Sequence, residues 1–272
     1  MVYRNNLKNR LWLGLFCSCL AAVIYAEPPR QIPENLYSQF TLNGKIPVQQ
    51  WFIDNTCPDH STRFYSRNTI DSYIERVKNK EANYYGNTDL WLYQAFQAYP
   101  IQGKTVAIVG SLEPWYESVV LAFGGKPITI EYNRIITDDP RLTLMTVDEY
   151  ENNPIQCDLV LSISSTEHDG LGRYGDPINP NGDLEFMDKV KDQILKPGGH
   201  LILAVPCGSD CLVWNAHRIY GSYRLPLLLN GWTIVDSFGV DSFEANSRLF
   251  CSSLGDTGFQ PVLLLEPNKE EL

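Results

Sequence analysis

The stretch KTVAIVGSLEPWYE, residues 104–117, opens with a continuous apolar strand, Val106-Ala107-Ile108-Val109, that runs into Gly110. A G-x-G-x-x-G ligand loop depends on bare backbone that can turn tightly and approach its ligand. Here Ser111, Leu112, Glu113, Pro114 and Trp115 follow instead. The stretch therefore reads as a strand and a turn, and the segments downstream decide whether that turn faces a ligand.

Downstream, strands and helices alternate. A helix is expected over 117–124, then strands at PITIEY (127–132), LTLMTV (142–147) and CDLVLSIS (157–164). The amphipathic helix DLEFMDKVKDQIL (183–195), the strand HLILAVP (200–206) and a short Pro-interrupted helix in YRLPLLLNGW (223–232) come next. Strands at TIVDSFGV (233–240) and FQPVLLLEP (259–267) end the series. Strands without polar alternation, separated by helices, indicate a mostly parallel sheet covered on both faces, an α/β doubly wound fold. Ligands in such sheets bind outside the carboxyl ends of the strands, which points to Gly110, Glu131, Asp148 and Ser164.

Upstream, NTDLWLYQAFQAYP (87–100) reads as a buried helix stopped by Pro100. Residues 27–80 are polar, aromatic and irregular, with an Asn43-Gly44 turn between QFTL and KIPVQQWFI that predicts a hairpin. The expected organisation is a leader over 1–26, an N-terminal appendage and lead-in helix over 27–100, and the main domain over 101–268. In the leader, Arg4, Lys8 and Arg10 precede the 16-residue apolar run Leu11 to Ala26, and Glu27-Pro28-Pro29 ends any helix. That order is that of a secretory signal, and the run is shorter than the roughly 20 residues of a comfortable bilayer span. It reads as a cleaved signal peptide, with a short signal anchor as the alternative and the only expected membrane contact.

The 272 residues carry a net charge of -10, and 19 basic against 32 acidic side chains remain after residue 26, leaving -13. With no basic patch in the mature chain, a nucleic-acid partner is excluded as an expectation. Of seven cysteines, Cys57, Cys157, Cys207, Cys211 and Cys251 lie beyond the leader, and in an oxidising compartment two disulfides and one free thiol would fit. The spacing in CGSDC (207–211) is not that of a C-x-x-C zinc or redox site, so no metal is expected.

The order of strands, the acidic Glu131 ending the second of them, and ILKPGGHLILAVP feeding the fifth resemble a class I S-adenosylmethionine-dependent methyltransferase. More narrowly, SSTEHDGLGRYGDPINPNGD with WNAHRIYG and RLP resembles a nematode-rich family of unknown function, DUF268, placed with the methyltransferase-like folds. The resemblance covers about 104–267 and implies a Rossmann-like seven-stranded sheet whose last strand inserts antiparallel. It implies S-adenosylmethionine as cofactor, with Gly110 at the first loop glycine, Glu131 on the ribose hydroxyls, Asp148 near the adenine amino group and Ser164 at the fourth strand's end. The sequence departs from the family at Leu112 and Pro114, where further glycines are usual, and at Ile108, often acidic. Glu113 is hostile to a pyrophosphate on a helix N-terminus, which argues against a dinucleotide, but is compatible with a sulfonium cation.

The densest polar cluster, SSTEHDGLGRYGDP (164–177), follows the fourth strand. Its glycines serve turns, whereas Glu167-His168-Asp169 in succession has little structural use. His168 is the expected base for a substrate hydroxyl, with Glu167 or Asp169 orienting it. Arg173, Tyr174 and Arg218 are candidate substrate contacts, a guanidinium matching an anionic group; His217 reads as a helix-start residue packed by Trp214 and Tyr220. No G-x-S-x-G elbow supports a serine hydrolase. The expected activity is O-methyl transfer to a carbohydrate or small molecule in the secretory pathway, with a catalytically inactive, methyltransferase-like secreted binding protein as the alternative.

Overall fold

The computed structural model describes residues 27–56, 62–240 and 259–268. In chain order its elements are α1 (Glu34–Phe40), β1 (Val48–Trp51), β2 (Arg63–Tyr65), α2 (Arg67–Lys78), α3 (Asn87–Ala98), β3 (Thr105–Val109), α4 (Trp115–Ala122), β4 (Lys126–Glu131), β5 (Ile135–Thr137), β6 (Thr143–Thr146) and α5 (Val147–Asn152). Then come β7 (Cys157–Ile163), α6 (Gly182–Lys189), β8 (Leu195–Ala204), β9 (Cys211–Asn215), β10 (His217–Ile219), α7 (Arg224–Leu228), β11 (Trp232–Phe238) and β12 (Val262–Pro267).

The central sheet runs β11-β12-β8-β7-β3-β4-β6. β6, β4, β3, β7 and β8 are mutually parallel, and β12 lies antiparallel to both β8 and β11. This is the mostly parallel, seven-stranded methyltransferase-type sheet that the sequence implies, with its last strand inserted antiparallel. Successive side chains of a strand point to opposite faces, and the inner strands are apolar on both. Ala107, Val160, Leu201 and Leu203 pack with Met187, Val190, Ile194, Leu225 and Leu228 on one side. Val106, Ile108, Leu159, Leu161 and Ile202 pack with Leu92, Phe96, Val119 and Val120 of α3 and α4 on the other. Each such aliphatic side chain contributes about 1.5–3 kcal/mol when fully buried, so the continuous apolar runs fix both layers.

Two additions sit on this sheet. β2 pairs in parallel with β5, Arg63 opposite Ile135 and Tyr65 opposite Thr137, and the pair shares a small core with Ile70 and Ile74 of α2. β1 pairs in parallel with β9, which pairs antiparallel with β10. The hairpin expected around Asn43-Gly44 does not form. QF ends helix α1, the turn passes through left-handed Leu42, Asn43 and Gly44, and VQQW leaves to pair with residues 212–215. The anchor is Trp214, fully buried, edge-on to Phe40 at 5.2 Å and donating from Nε1 to Pro29 O at 3.0 Å. WNAHRIYG is correspondingly two strands and not a helix start: its apolar positions, buried on every side, are held by ladder bonds to β1 and within β9–β10.

Cys157, Cys207 and Cys211 are buried free thiols, so the expectation of two disulfides among the five cysteines is corrected. Burial pushes Cys157 up to about 11 and Cys207 up to about 12, which keeps both protonated and inert. Cys57, Cys251 and the apolar leader lie outside the described residues; among those described, no helix is long and apolar enough to cross a membrane.

Candidate active site at the carboxyl edge of the sheet

The ends of β3, β4, β6 and β7 bring Gly110, Glu131, Asp148 and Ser164 to one edge. Gly110 has φ +76°, and a Cβ there would lie 2.3 Å from Ser165 Oγ, so both conformation and space demand glycine. The next residue ties the loop down: Ser111 N–H donates to Glu131 Oε2 at 2.9 Å. Glu131 is buried, and its Oε1 accepts only a long bond from Asn133 N–H at 3.4 Å among the described residues. That oxygen keeps acceptor capacity for hydroxyl donors. Asp148 is exposed in the first turn of α5, behind a capping box formed by Thr146 and Glu149.

The loop is also held from outside the main domain. Tyr65 O–H reaches Ser111 O and Oγ, both at 3.0 Å, and Arg63 Nη1–H donates to Ser111 O at 3.3 Å. Glu113 joins this loop through its carbonyl, which accepts from Ser111 Oγ–H at 3.1 Å, and its carboxylate turns away. It is exposed and accepts from Tyr73 O–H of α2 at 3.1 Å; the carboxylate expected beside a sulfonium is thus drawn toward α2, which packs on α4.

After β7, Ser164 adopts φ +50°, a left-handed conformation uncommon outside glycine and frequent at functional turns. It leads into a 3-10 turn, Thr166–His168. Ser164 Oγ–H donates to Glu167 Oε1 at 2.6 Å, while Glu167 Oε2 is buried without a partner among the described residues. Burial pushes the Glu167 carboxyl up to about 7, against the pull of the Ser164 bond, Arg173 and Arg218. His168 Nδ1 lies 2.6 Å from Ala216 O and therefore carries the proton; Nε2 is left as the acceptor, 3.7 Å from Glu167 Oε1. Burial and then the neighbouring Arg173 push this imidazole down to about 3. His168 is thus neutral and weakly basic, oriented by a backbone carbonyl and not by a carboxylate, and the group titrating near neutrality is Glu167. Asp169 is half-buried, and burial followed by Asp176 raises its carboxyl well above the usual range.

Arg173 stays at this edge, reaching Asn55 Oδ1 at 2.9 Å and Ala216 O at 3.1 Å, with its guanidinium 4.9 Å from the Tyr174 ring. Tyr174 in turn stands edge-on to His168 at 5.4 Å. Arg218, expected as a substrate contact, is buried within the protein. It is 4% exposed and donates to the carbonyls of Glu167, Asp169, Asn179 and Pro180 from beneath, with Asp183 Oδ2 3.7 Å away. Arg224 joins the same buried carboxylate. Burial alone would raise Asp183, yet Arg218 and Arg224 together hold it below the usual range. His217 is buried on β10 with Nε2 unpartnered, edge-on to Trp51 at 6.0 Å, and burial pushes it down to about 4.

Arg63, Tyr65, Tyr85 and Ser165 belong to this edge without having been singled out in the sequence. Tyr85, close to Ser164 and Glu167, is pushed up to about 12 by burial. The alternation of Arg63-Phe64-Tyr65 carried one signal, since residues two apart share a strand face; Phe64 is 57% exposed while its neighbours reach the loop. Among the described residues no cluster of His, Cys, Asp or Glu could hold a metal ion.

The family model described as "Caenorhabditis protein of unknown function, DUF268" matches residues 103–256, more than half of the chain. No curated protein matches the chain in sequence. Solved structures that are similar include the 1,6-didemethyltoxoflavin-N1-methyltransferase of Burkholderia thailandensis with bound 1,6-didemethyltoxoflavin and S-adenosylhomocysteine, at 11% identity and TM-score 0.45 over 74% of this chain and 87% of that one. The CcbJ methyltransferase of Streptomyces caelestis is similar at 12% identity and TM-score 0.41, over 74% and 98% of the two chains. An O-methyltransferase family 2 protein of Planctomyces limnophilus in complex with apigenin gives 10% identity and TM-score 0.42, over 74% and 62%.

Proposed function

The chain belongs to the DUF268 family, and for this member we propose S-adenosylmethionine-dependent methyl transfer to a hydroxyl of a carbohydrate or other small molecule in the secretory pathway. The observation that carries the reading is the meeting, on one sheet edge, of two buried carboxyls that each keep an oxygen available. Glu131 is poised at the Gly110 turn with an oxygen open to hydroxyl donors. Glu167 is buried and shifted to about 7, with Oε2 unpartnered. The residues present fit the cofactor: Glu131 suits the ribose hydroxyls, the Gly110–Ser111 backbone its methionine end, and Asp148 stands at the third strand's end, where the adenine amino group belongs.

Bound there, the cofactor supplies a methyl group already activated as a sulfonium, which leaves the protein to align the acceptor and remove one proton. A carboxyl with a pKa near neutrality suits that task, being about half ionised near pH 7 while still basic enough to accept. Glu167 takes the hydroxyl proton on Oε2 while Ser164 holds Oε1. His168, fixed by Ala216 O, presents Nε2 as an acceptor beside it, and Arg173 and Tyr174 border the acceptor. The exposed ring of Trp51 and the half-exposed ring of Tyr132 offer apolar faces suited to a ring-shaped hydroxylated molecule, and the acidic chain suits neither phosphate backbone nor polyanion. Placement in the secretory pathway rests on the leader sequence.

Calorimetry with S-adenosylhomocysteine tests the reading: micromolar binding that Glu131→Gln weakens is expected, and no binding at high micromolar ligand overturns it. One observation favours the second reading, a binding protein without turnover: Ser165 already lies against Gly110, filling the space above the glycine with protein. Cofactor binding without methyl transfer to any hydroxylated acceptor pool would support that reading.

A further inference from the structure

The cleft edge holds one cation that the mechanism does not use, and it comes from the N-terminal appendage. β2 is joined to the segment that leaves Glu131: Arg63 N–H donates to Arg134 O at 3.3 Å, and Arg63 pairs with Ile135 in register. Its side chain shares a strand face with Tyr65, and both reach Ser111 O, at 3.3 and 3.0 Å. Arg63 therefore bridges the loop after β3 and the loop after β4, the two segments that would hold the methionine end and the ribose of an adenosyl amino acid.

A guanidinium has five N–H donors. Among the described residues, that of Arg63 makes one hydrogen bond, to a neutral carbonyl, and no ion pair within 4.0 Å, although half-buried on an acidic edge. Glu131 is engaged with Ser111 N–H and is not its partner. A partly buried cation left with one neutral acceptor is suited to an anion that arrives with the ligand, and a guanidinium matches a carboxylate in a two-pronged way.

We propose that Arg63, carried by the N-terminal appendage, is a binding residue for the α-carboxylate of the cofactor's amino-acid end, with Tyr65 holding Ser111 in place beside it. The inference rests on the cofactor reading above and adds to it: the appendage completes the cofactor site. In a compound made of adenine, ribose, sulfur and an amino acid, that carboxylate is the single anionic group, so one cation at the methionine end of the cleft suffices.

Calorimetry on the full chain with two nucleosides tests this, S-adenosylhomocysteine and 5′-methylthioadenosine, which shares the adenosine and sulfur but lacks the amino-acid end. Arg63→Gln is expected to weaken S-adenosylhomocysteine roughly 10- to 100-fold, the range of a lost charge-assisted pair, and to leave 5′-methylthioadenosine within about threefold. Arg63→Lys, which keeps the charge but loses the fork, is expected between the wild type and Arg63→Gln. Equal weakening of both nucleosides would make Arg63 only a loop clamp and overturn the proposal, as would unchanged affinity for S-adenosylhomocysteine. Retained binding of 5′-methylthioadenosine shows that the variant is folded. If the wild type binds neither nucleoside, the cofactor reading itself has failed and this inference falls with it.

Discussion

Glu117 offers a test that depends only on burial and geometry. It lies in the first turn of α4, fully buried, with Oε1 accepting from Thr129 Oγ1–H at 2.7 Å and Oε2 without a partner among the described residues. Burial moves its carboxyl from an ordinary 4.5 to about 7, opposed by the Thr129 bond and raised slightly further by Glu131. Below about pH 4.5 folded and unfolded chains both hold this proton, and the group adds no pH dependence. Between 4.5 and 7 the folded chain keeps the proton that the unfolded chain releases, so stability falls as pH rises. A shift of this size corresponds to about 3 kcal/mol, lost in full once the pH passes the folded value.

Glu117→Gln preserves the shape and the acceptor for Thr129 but cannot titrate. The variant's stability minus that of the wild type is therefore expected to rise by about 3 kcal/mol from pH 4.5 to pH 8, or about 6–12 °C in Tm for a chain of this size. The assay is urea unfolding at a series of pH values, with the two proteins compared at each. The difference matters more than either curve, because His168 and His217, pushed down to about 3 and about 4, give the opposite slope. They favour the fold as pH rises toward 6.5, and that contribution is common to both proteins and cancels. A difference constant within about 1 kcal/mol across this range would refute a neutral, buried Glu117.

Arg218→Met leaves the carbonyls of Glu167 and Asp169 without their buried donor and half-compensates Asp183, so a loss of about 3–5 kcal/mol is expected in denaturant unfolding; full stability with weakened acceptor binding alone would restore it as a substrate contact. Gly110→Ala meets Ser165 Oγ at 2.3 Å in a left-handed backbone. It should destabilise by more than about 2 kcal/mol, and Ser165→Gly in the same chain should return about 1 kcal/mol or more, read as the coupling in a double-mutant cycle. Cys157 and Cys207, buried and raised to about 11 and about 12, should resist iodoacetamide at pH 8 in the native chain and react after unfolding, as followed by peptide mass spectrometry.

What the sequence revealed and what it hid divide along the range of the interactions. The inner strands were legible because burial on both faces leaves an unbroken apolar run, as in Val106–Val109 or Leu201–Ala204, and that pattern is local. Gly110, Glu131 and Ser164 were placed correctly at the carboxyl edge because strand ends follow once strands are known. The KIPVQQW strand was found but mispaired: Asn43-Gly44 is a strong local hairpin signal, whereas the partner that won, residues 212–215, is packed by Trp214 from far along the chain. Likewise Arg218 and Arg173 look alike as residues near a polar loop, and only the carbonyls that surround Arg218 distinguish a buried clamp from an edge group. His168 shows the same limit in electrostatics. Its neighbours in sequence suggested a base, yet the surroundings that set basicity, burial and the cation of Arg173, come from tertiary packing and push His168 down while burial pushes Glu167 up to about 7. The place of Arg63 follows from this logic. Its two-residue alternation with Tyr65 was readable, but a side chain's partner is set by the loop opposite it, and Ser111 lies 48 positions away.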